Sequence, residues 1–128
     1  MSIPVDVAAL GRVLASYGAG YLITVGADGA PKVVTVEPTV LTGVLVVPVP
    51  GKGSLANVAA RPAATLVFPP PEERGFTLLV DGTAVPDGDD LRIESTSAVL
   101  HRPAAHSDGP PAPAGVGASD CGNDCRPV

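Results

Sequence analysis

Short runs of apolar, β-branched residues separated by turn signals dominate the first hundred positions of the chain. The clearest example is the stretch 21–38, YLITVGADGAPKVVTVEP. Its two halves are rich in β-branched and aromatic side chains, which suit a half-buried pleated surface. Between them, residues 26–29 (Gly-Ala-Asp-Gly) provide the backbone freedom of a tight reversal, and Pro31 opens the return strand. The pattern predicts a β-hairpin with strands near 21–25 and 31–37.

Further strands follow the hairpin. Residues 44–47 are wholly apolar, which predicts a strand buried on both faces. Strands are also predicted over 63–68 and 76–85. A turn at 87–90 leads to a pairing strand over 91–94, and residues 97–101 are predicted as a last strand.

Two short helices are predicted among these strands. Asp6 is an N-cap candidate for a helix over 7–17, in which apolar residues recur at spacings of three and four and after which Gly18 is the expected stop. Ser54 is predicted to cap a second helix over 55–60, which Pro62 ends. Six or seven short strands with two helices predict a mainly β protein, a small barrel, because closure removes exposed sheet edges.

The composition changes after Pro103. Residues 104–128 are dominated by Ala, Pro, Gly, Ser and Asp and contain no Leu, Ile, Phe or Tyr. Such a segment buries too little apolar surface to offset its ordering entropy. We therefore predict one domain over 1–103 and a disordered tail over 104–128.

Length and charge limit the possible partners. A chain of 128 residues forms one domain, and its net charge of −5, with eight scattered Lys and Arg, argues against a nucleic-acid partner. A small anionic ligand stays possible, because a local cluster of hydrogen-bond donors can attract it despite the net negative charge of the chain. The sequence has no secretory signal pattern and no apolar stretch near the ~20 residues of a membrane span, so a soluble, cytoplasmic protein is expected.

Residues 51–54, Gly-Lys-Gly-Ser, form the best candidate site. Two glycines allow the backbone to approach an anion, and the predicted helix presents free N–H groups there. Lys52 adds a charge and Ser54 adds a hydroxyl donor. The alternative interpretation is a flexible turn with a solvated lysine and a capping serine, because so short a sequence lacks the longer glycine frame of a P-loop.

Three passages carry a family resemblance: YLITVGADGAPKVVTV (21–36), GKGSLANVAARPAATLVF (51–68) and LLVDGTAVPDGDDLRI (78–93). They resemble the first hairpin, the phosphate loop with its short helix and strand, and the kinked strand of the pyridoxamine 5'-phosphate oxidase-like split β-barrel flavoproteins, including small actinobacterial members. Asn57 and Pro62 match the family's Asn-x-x-x-x-Pro pattern, and Gly82 matches the kink. Many members carry a hydroxyl residue two positions before a lysine, whereas here Lys52 precedes Ser54.

The resemblance implies a split barrel of about six antiparallel strands that works as a homodimer. The implied cofactor is FMN or the 8-hydroxy-5-deazaflavin coenzyme, and the implied activity is hydride transfer at the flavin ring with a small, unidentified substrate. Lys52, Gly53 and Ser54 would hold the cofactor phosphate, with Asn57 supporting the loop.

Three further residues lie near this region in the predicted barrel. Lys32 is a second cation, just after the first turn. Thr35 is a candidate to line an isoalloxazine edge, although strand packing explains it equally well. Arg61 is expected to assist the helix C-terminus electrostatically, whether or not it meets a ligand.

The sequence predicts no catalytic side chain. Ser54 has no evident His and Asp partners, and His101 and His106 lie at or beyond the end of the predicted domain. This suits a flavin enzyme, whose cofactor carries the hydride chemistry, and equally a non-catalytic flavin- or haem-binding module on the same barrel. Arg102 is expected to reach a ligand or an acidic residue such as Glu94.

The two cysteines leave a third function open. Cys121 and Cys125 do not form a disulfide framework, which agrees with a reducing compartment. Free thiols in the tail are the default interpretation, and the alternatives are a soft-metal site with His106 or Asp124 or a redox pair. The chain would then be a dimeric interaction protein with a degenerate site and a functional cysteine tail.

Overall fold

The computed structural model describes residues 1–116, and its main feature is a single antiparallel sheet of eight strands that curls into a half-barrel. This confirms the predicted mainly β fold with two short helices, with eight strands in place of about six. The strands are β1 (Ser2–Val5), β2 (Gly20–Val25), β3 (Pro31–Val36), β4 (Thr39–Leu41), β5 (Val44–Val47), β6 (Ala63–Phe68), β7 (Thr77–Asp87) and β8 (Asp90–His101). The helices are α1 (Leu10–Leu14) and α2 (Lys52–Ala60), with 3-10 turns at Val7–Ala9 and Ala104–His106.

The long strand β8 joins the two parts of the sheet. The strand order is β3-β2-β6-β7-β8-β5-β4. One edge of β8 pairs with β7 along its length, while the other pairs first with β5 and then, near its end, with β1. The predicted hairpin is confirmed as β2–β3, and its first strand also pairs with β6. The two strands predicted over 91–94 and 97–101 are one strand.

A β-bulge at Thr96 separates the two parts of β8 that were predicted as separate strands, 91–94 and 97–101. The register shifts between Asp81 and Gly82, so that Asp81 pairs with Ser97 and Gly82 with Ser95. A Cβ atom at position 82 would lie 2.4 Å from the carbonyl oxygen of Glu94, so only glycine fits. The predicted kink at Gly82 is therefore a β-bulge.

Alternate residues of the strands and one face of each helix form an aliphatic core around two phenylalanines. Phe68 is fully buried and Phe76 is 4% exposed. In β5 only Leu45 and Val47 are buried, while Val44 and Val46, which alternate with them, are half-buried. The prediction that this strand is buried on both faces is wrong, because β5 lies beside the edge strand β4 and only one of its faces meets the core. The buried apolar residues are Val5, Leu10, Val13, Leu22, Val36, Leu45, Val47, Val58, Ala64, Leu66, Phe68, Phe76, Leu78, Val80, Ala84, Leu91, Ile93, Ala98 and Leu100.

The helix boundaries correct two predictions. Asp6 caps the first helical segment, since its carboxylate accepts a hydrogen bond from the Ala8 N–H at 3.0 Å. However, the helix predicted over 7–17 is a 3-10 turn followed by the five residues of α1. The second helix begins at Lys52 with Gly51 as N-cap, so Ser54 lies inside it and does not cap it. No helix in the described part of the chain is long and apolar enough to cross a membrane.

Residues 104–116, which belong to the predicted tail, contact the barrel. The guanidinium of Arg102, 7% exposed, stacks 4.0 Å from the centre of the Phe76 ring and donates to the Pro110 carbonyl at 2.7 Å. Arg74 forms an ion pair with Asp108 at 2.6 Å. Arg102 thus binds backbone carbonyls of this segment rather than a ligand or Glu94. The rest of the predicted tail, with Cys121 and Cys125, lies outside the described residues.

Candidate functional site

The N-terminal end of α2 is an exposed group of hydrogen-bond donors. Gly51 adopts φ 104° and ψ 158°, a conformation that favours glycine, and it turns the chain sharply into the helix. The first helical hydrogen bond runs from the Leu55 N–H to the Gly51 carbonyl, and no side chain caps the end. The N–H groups of residues 52–54 therefore have no acceptor within the helix, and the helix dipole makes this end positive.

The side chain of Lys32 lies directly against this helix end. It extends from β3 so closely past Gly53 that a Cβ atom at position 53 would lie 2.9 Å from its Cε and 3.3 Å from its Nζ. The absence of a side chain at Gly53 is thus what lets the ammonium approach the helix backbone. Sequence analysis places both residues in one region and gives no sign of this contact, because twenty positions separate them.

Lys32 and Lys52 are the two lysines of the chain, and both lie at this end of α2. Within residues 1–116 the ion pair formed is Arg74–Asp108, so neither lysine is neutralised by a carboxylate there. Both side chains are exposed. Two ammonium groups and a helix N-terminus make a local positive site in a chain whose net charge is −5, and the donor set suits a phosphate or carboxylate.

Ser54 contributes no donor to this surface. The residue is 1% exposed, on the same helix face as the buried Val58, and its Oγ is inaccessible to solvent and has no hydrogen-bond partner among the described residues. The predicted contact between this hydroxyl and a cofactor phosphate is therefore not supported by its position. The helix periodicity explains the burial, because residues 54 and 58 project from one face.

Asn57 and Arg61 attach α2 to the turn between β2 and β3. The Asn57 amide donates to Thr24 Oγ1 at 3.1 Å, and Arg61 Nε donates to the Gly26 carbonyl at 3.0 Å. A second, longer contact joins Arg61 Nη2 to the Ala27 carbonyl at 3.4 Å. Asn57 was predicted to support the loop at residues 51–54; its amide instead binds Thr24 on β2, while Arg61 binds the hairpin turn. Sequence reasoning missed this role of Arg61.

Thr35 is separated from the lysines by the strand itself. Along β3, side chains alternate between the two faces of the sheet, so Lys32 and Thr35 project from opposite faces. Thr35 is exposed and pairs with Tyr21, which is 42% exposed. The structure therefore brings together Lys32, Lys52 and Gly53, places Asn57 one turn along the helix, and leaves Thr35 on the outer face.

Two concave regions lie apart from the helix end. A cleft of about 280 Å³ is lined by Tyr17, Phe76 and prolines of two segments. The Tyr17 hydroxyl donates to the Phe76 carbonyl at 2.9 Å, and burial raises the pKa of Tyr17 to about 12. A depression of about 400 Å³ lies on the outer sheet face, where Thr65 donates to the Asp81 carboxylate at 2.6 Å. Within residues 1–116 no group of three His, Cys, Asp or Glu side chains could hold a metal ion.

Two mycobacterial proteins are similar to almost the whole chain. They are uncharacterized proteins of Mycobacterium bovis and Mycobacterium tuberculosis, each 34% identical over 137 residues, an alignment that covers 94% of this chain and 92% of theirs. The chain belongs to their family. No protein-family model matches the sequence.

Solved structures of similar fold are split-barrel proteins. An F420 reductase has a TM-score of 0.56 at 19% identity, covering 67% of this chain and 92% of that one. A FAD-binding protein from Mesorhizobium loti has a TM-score of 0.58 at 18% identity, covering 80% and 98%. A candidate pyridoxamine 5'-phosphate oxidase from Listeria innocua has a TM-score of 0.52 at 12% identity, covering 66% and 87%. The chain thus has the split β-barrel fold of these proteins.

A haem-binding protein has the same fold. This protein, from Mycobacterium smegmatis, is 26% identical with a TM-score of 0.50, and the match covers 65% of this chain and 37% of that one. Proteins that share this fold over all or part of their length thus include a FAD-binding and a haem-binding protein.

Proposed function

We propose that the N-terminal end of α2 binds the phosphate of a flavin-type cofactor, FMN or the 8-hydroxy-5-deazaflavin coenzyme, and that the protein is a flavin-dependent oxidoreductase. The observation that carries this proposal is the convergence of both lysines on uncapped helix N–H groups. The split-barrel fold supports it, because the F420 reductase and the FAD-binding protein share that fold.

Each group at the helix end has a distinct part in the proposed binding. The amides of Lys52 and Gly53 donate along the helix axis, where their direction is fixed by the backbone. Lys32, held against Gly53, supplies a charge from the side. Lys52, the first residue of α2, supplies a second charge on a flexible stem. A phosphate, with its several acceptor oxygens, is the kind of ligand that satisfies donors arriving from these different directions.

The residues of this chain would bind and orient the cofactor. A flavin, when bound, supplies hydride transfer through its ring, while the protein supplies position and electrostatics. The substrate is a small molecule of unidentified class.

The binding proposal is tested by comparing FMN with riboflavin, which has the same ring and lacks the phosphate. The chain contains no Trp, so flavin fluorescence anisotropy is measured cleanly as protein is added. Saturable binding of FMN with much weaker binding of riboflavin is the expected result. Equal affinity for the two would mean that the helix end does not bind the phosphate. The deazaflavin coenzyme is titrated in the same way.

Lysine variants locate the phosphate. Lys32→Ala and Lys52→Ala should each weaken FMN binding by about 1–3 kcal/mol, the usual contribution of a charge-assisted hydrogen bond, and leave riboflavin binding unchanged. Arg92→Ala is the matched control, because Arg92 is an exposed cation on β8, a strand that does not pair with the β2–β3 hairpin. Unchanged FMN affinity in both lysine variants would contradict the proposal.

We also propose that the protein is a homodimer formed through the outer face of β2, β3 and β6. The residues of these strands that point away from the core carry no charge. Among them Val33 is 57% exposed and Tyr21 is 42% exposed. A sheet that is apolar on both faces is typically covered on both, and an uncharged surface fits a second copy of itself. Sedimentation of the full chain would give the mass of a dimer, and Val33→Lys would give that of a monomer.

The second candidate is a non-catalytic module that binds flavin or haem on the same barrel. The haem-binding protein of the same fold favours this candidate. Turnover distinguishes the two: an oxidoreductase with bound flavin is reduced by a nicotinamide donor, or passes hydride from the reduced deazaflavin to an acceptor. Flavin binding without turnover across a broad acceptor panel would support the module, as would haem binding in the absence of flavin binding.

A further inference from the structure

A closed ring of contacts joins Lys32 to α2 at two separate places. Lys32 touches the first turn of the helix at Gly53. Within the sheet Lys32 is the direct cross-strand partner of Thr24, and Thr24 Oγ1 accepts a hydrogen bond from Asn57 of the same helix. The helix therefore fixes both the residue beside Lys32 and the surface on which its ammonium lies.

Arg61 closes this ring at the hairpin turn. Its guanidinium holds the carbonyls of Gly26 and Ala27 at 3.0 and 3.4 Å. The turn is short, since the Gly26 N–H bonds to the Ala30 carbonyl at 2.9 Å, and β3 starts with the next residue. Any displacement of the turn relative to α2 is therefore passed to Lys32, the second residue of β3.

We propose that Arg61 is a positioning residue for the anion site, although it lies at the opposite end of the helix. Helix α2 has nine residues, so about 13 Å separates its ends. Arg61 does not touch the anion. It fixes the hairpin on the helix, and the hairpin then places the Lys32 ammonium over Gly53. The inference rests on the proposed function for its ligand, although the placement of Lys32 is measurable without any ligand.

The presence of only two lysines makes a direct test possible. The full chain is labelled by reductive 13C-methylation, which keeps the ammonium charge and gives two lysine signals beside that of the N-terminal amine. Lys32→Arg and Lys52→Arg assign the two signals. The chemical shift of each signal is then followed in the ligand-free protein and during titration with inorganic phosphate.

Arg61→Gln should move the Lys32 signal towards the position of a solvated lysine and leave the Lys52 signal in place. The apparent dissociation constant for inorganic phosphate, read from the Lys32 signal, should rise about threefold to fivefold, corresponding to about 0.7–1 kcal/mol. Arg92→Gln is the control: it makes the same change at an exposed arginine of β8 and should alter neither signal. Should Arg61→Gln fail to fold, Arg61→Lys keeps the charge at the helix end and removes one of the two contacts to the turn; it should move the Lys32 signal in the same direction.

The outcomes separate this inference from the function on which it rests. An unchanged Lys32 signal in the folded Arg61 variant would overturn the positioning role, and so would equal shifts of both lysine signals, which would indicate a general rearrangement. A wild-type protein in which phosphate moves neither signal would remove the anion site. A selective shift of the Lys32 signal in Arg61→Gln would then still support the role of Arg61 in placing Lys32.

Discussion

The substitution Gly53→Ala should raise the stability of the protein and weaken its binding of an anion. Gly53 is the second residue of α2 and has no positive φ, so alanine fits its backbone conformation. Glycine within a helix costs about 0.5–1 kcal/mol relative to alanine. Because Gly53 lies in the first turn, the gain in the free energy of unfolding should be near the lower value, about 0.5 kcal/mol.

The same methyl group displaces Lys32. Its carbon would lie 2.9 Å from Lys32 Cε, 3.3 Å from Nζ and 3.4 Å from Cδ. Ordinary van der Waals contacts begin near 3.4 Å, so the first two distances are too short. The obstacle is the end of a flexible side chain, so the lysine turns away at little cost in stability. The ammonium then leaves the helix end, and FMN affinity should fall about fivefold, or about 1 kcal/mol.

Urea unfolding measures the stability and flavin anisotropy measures the affinity. Gly18→Ala is the matched control, since Gly18 has no atom within 4 Å of the added carbon and lies away from α2. Riboflavin, which has no phosphate, should bind the variant as it binds the wild type. A rise in stability with unchanged FMN affinity would mean that Lys32 has no part in binding. A loss of stability would refute the argument that the lysine yields easily.

Three other predictions concern the barrel. The wild type should lose stability between pH 10 and pH 12, since the unfolded state releases the Tyr17 proton first and the pKa of Tyr17 is about 12 in the folded protein. Urea unfolding at pH 8 and pH 11 measures this loss in the free energy of unfolding. The loss should be smaller in Tyr17→Phe than in the wild type, by at most about 1 kcal/mol after solvent screening. An equal loss in both proteins would mean that other groups cause the effect. Truncation after Pro103 should lower the free energy of unfolding by about 1–3 kcal/mol, since it removes the Pro110 carbonyl that accepts from Arg102 and the Asp108 partner of Arg74; an unchanged urea midpoint would contradict a stabilising role of the segment. Gly82→Ala should cost about 2–3 kcal/mol, because the added carbon would lie 2.4 Å from a backbone carbonyl of β8, and a normal thermal midpoint would refute that estimate.

The strands could be predicted where side-chain chemistry marks them strongly. The β2–β3 hairpin has β-branched runs on both sides of an Asp-Gly turn, and its two strands agree with the predicted ranges. The short strands β1 and β4 were missed, because three or four residues give too little alternation for a pattern. The contacts of segment 104–116 could not be predicted for another reason. They involve Arg74 and Arg102, which bind its Asp108 carboxylate and Pro110 carbonyl, and Gly109, which lies so close to the Arg74 carbonyl that a Cβ atom would clash with it.

The candidate site shows why residue types were easier to predict than their roles. A glycine-lysine-glycine sequence before a helix indicates an anion site by local chemistry alone, so Lys52 and Gly53 could be found. Whether Ser54 points outward depends on where the helix begins, and a start at Lys52 turns its hydroxyl into the core. Lys32 reaches the site because the register of β2 and β3 places it opposite Thr24. Arg61 binds the backbone carbonyl of Gly26, a group that every residue type has. Contacts to backbone atoms leave no trace in the partner's residue type, so Arg61 could be found only from the structure. The site is therefore a property of the hairpin and the helix together, and a substitution at the far end of α2 should alter binding at the near end.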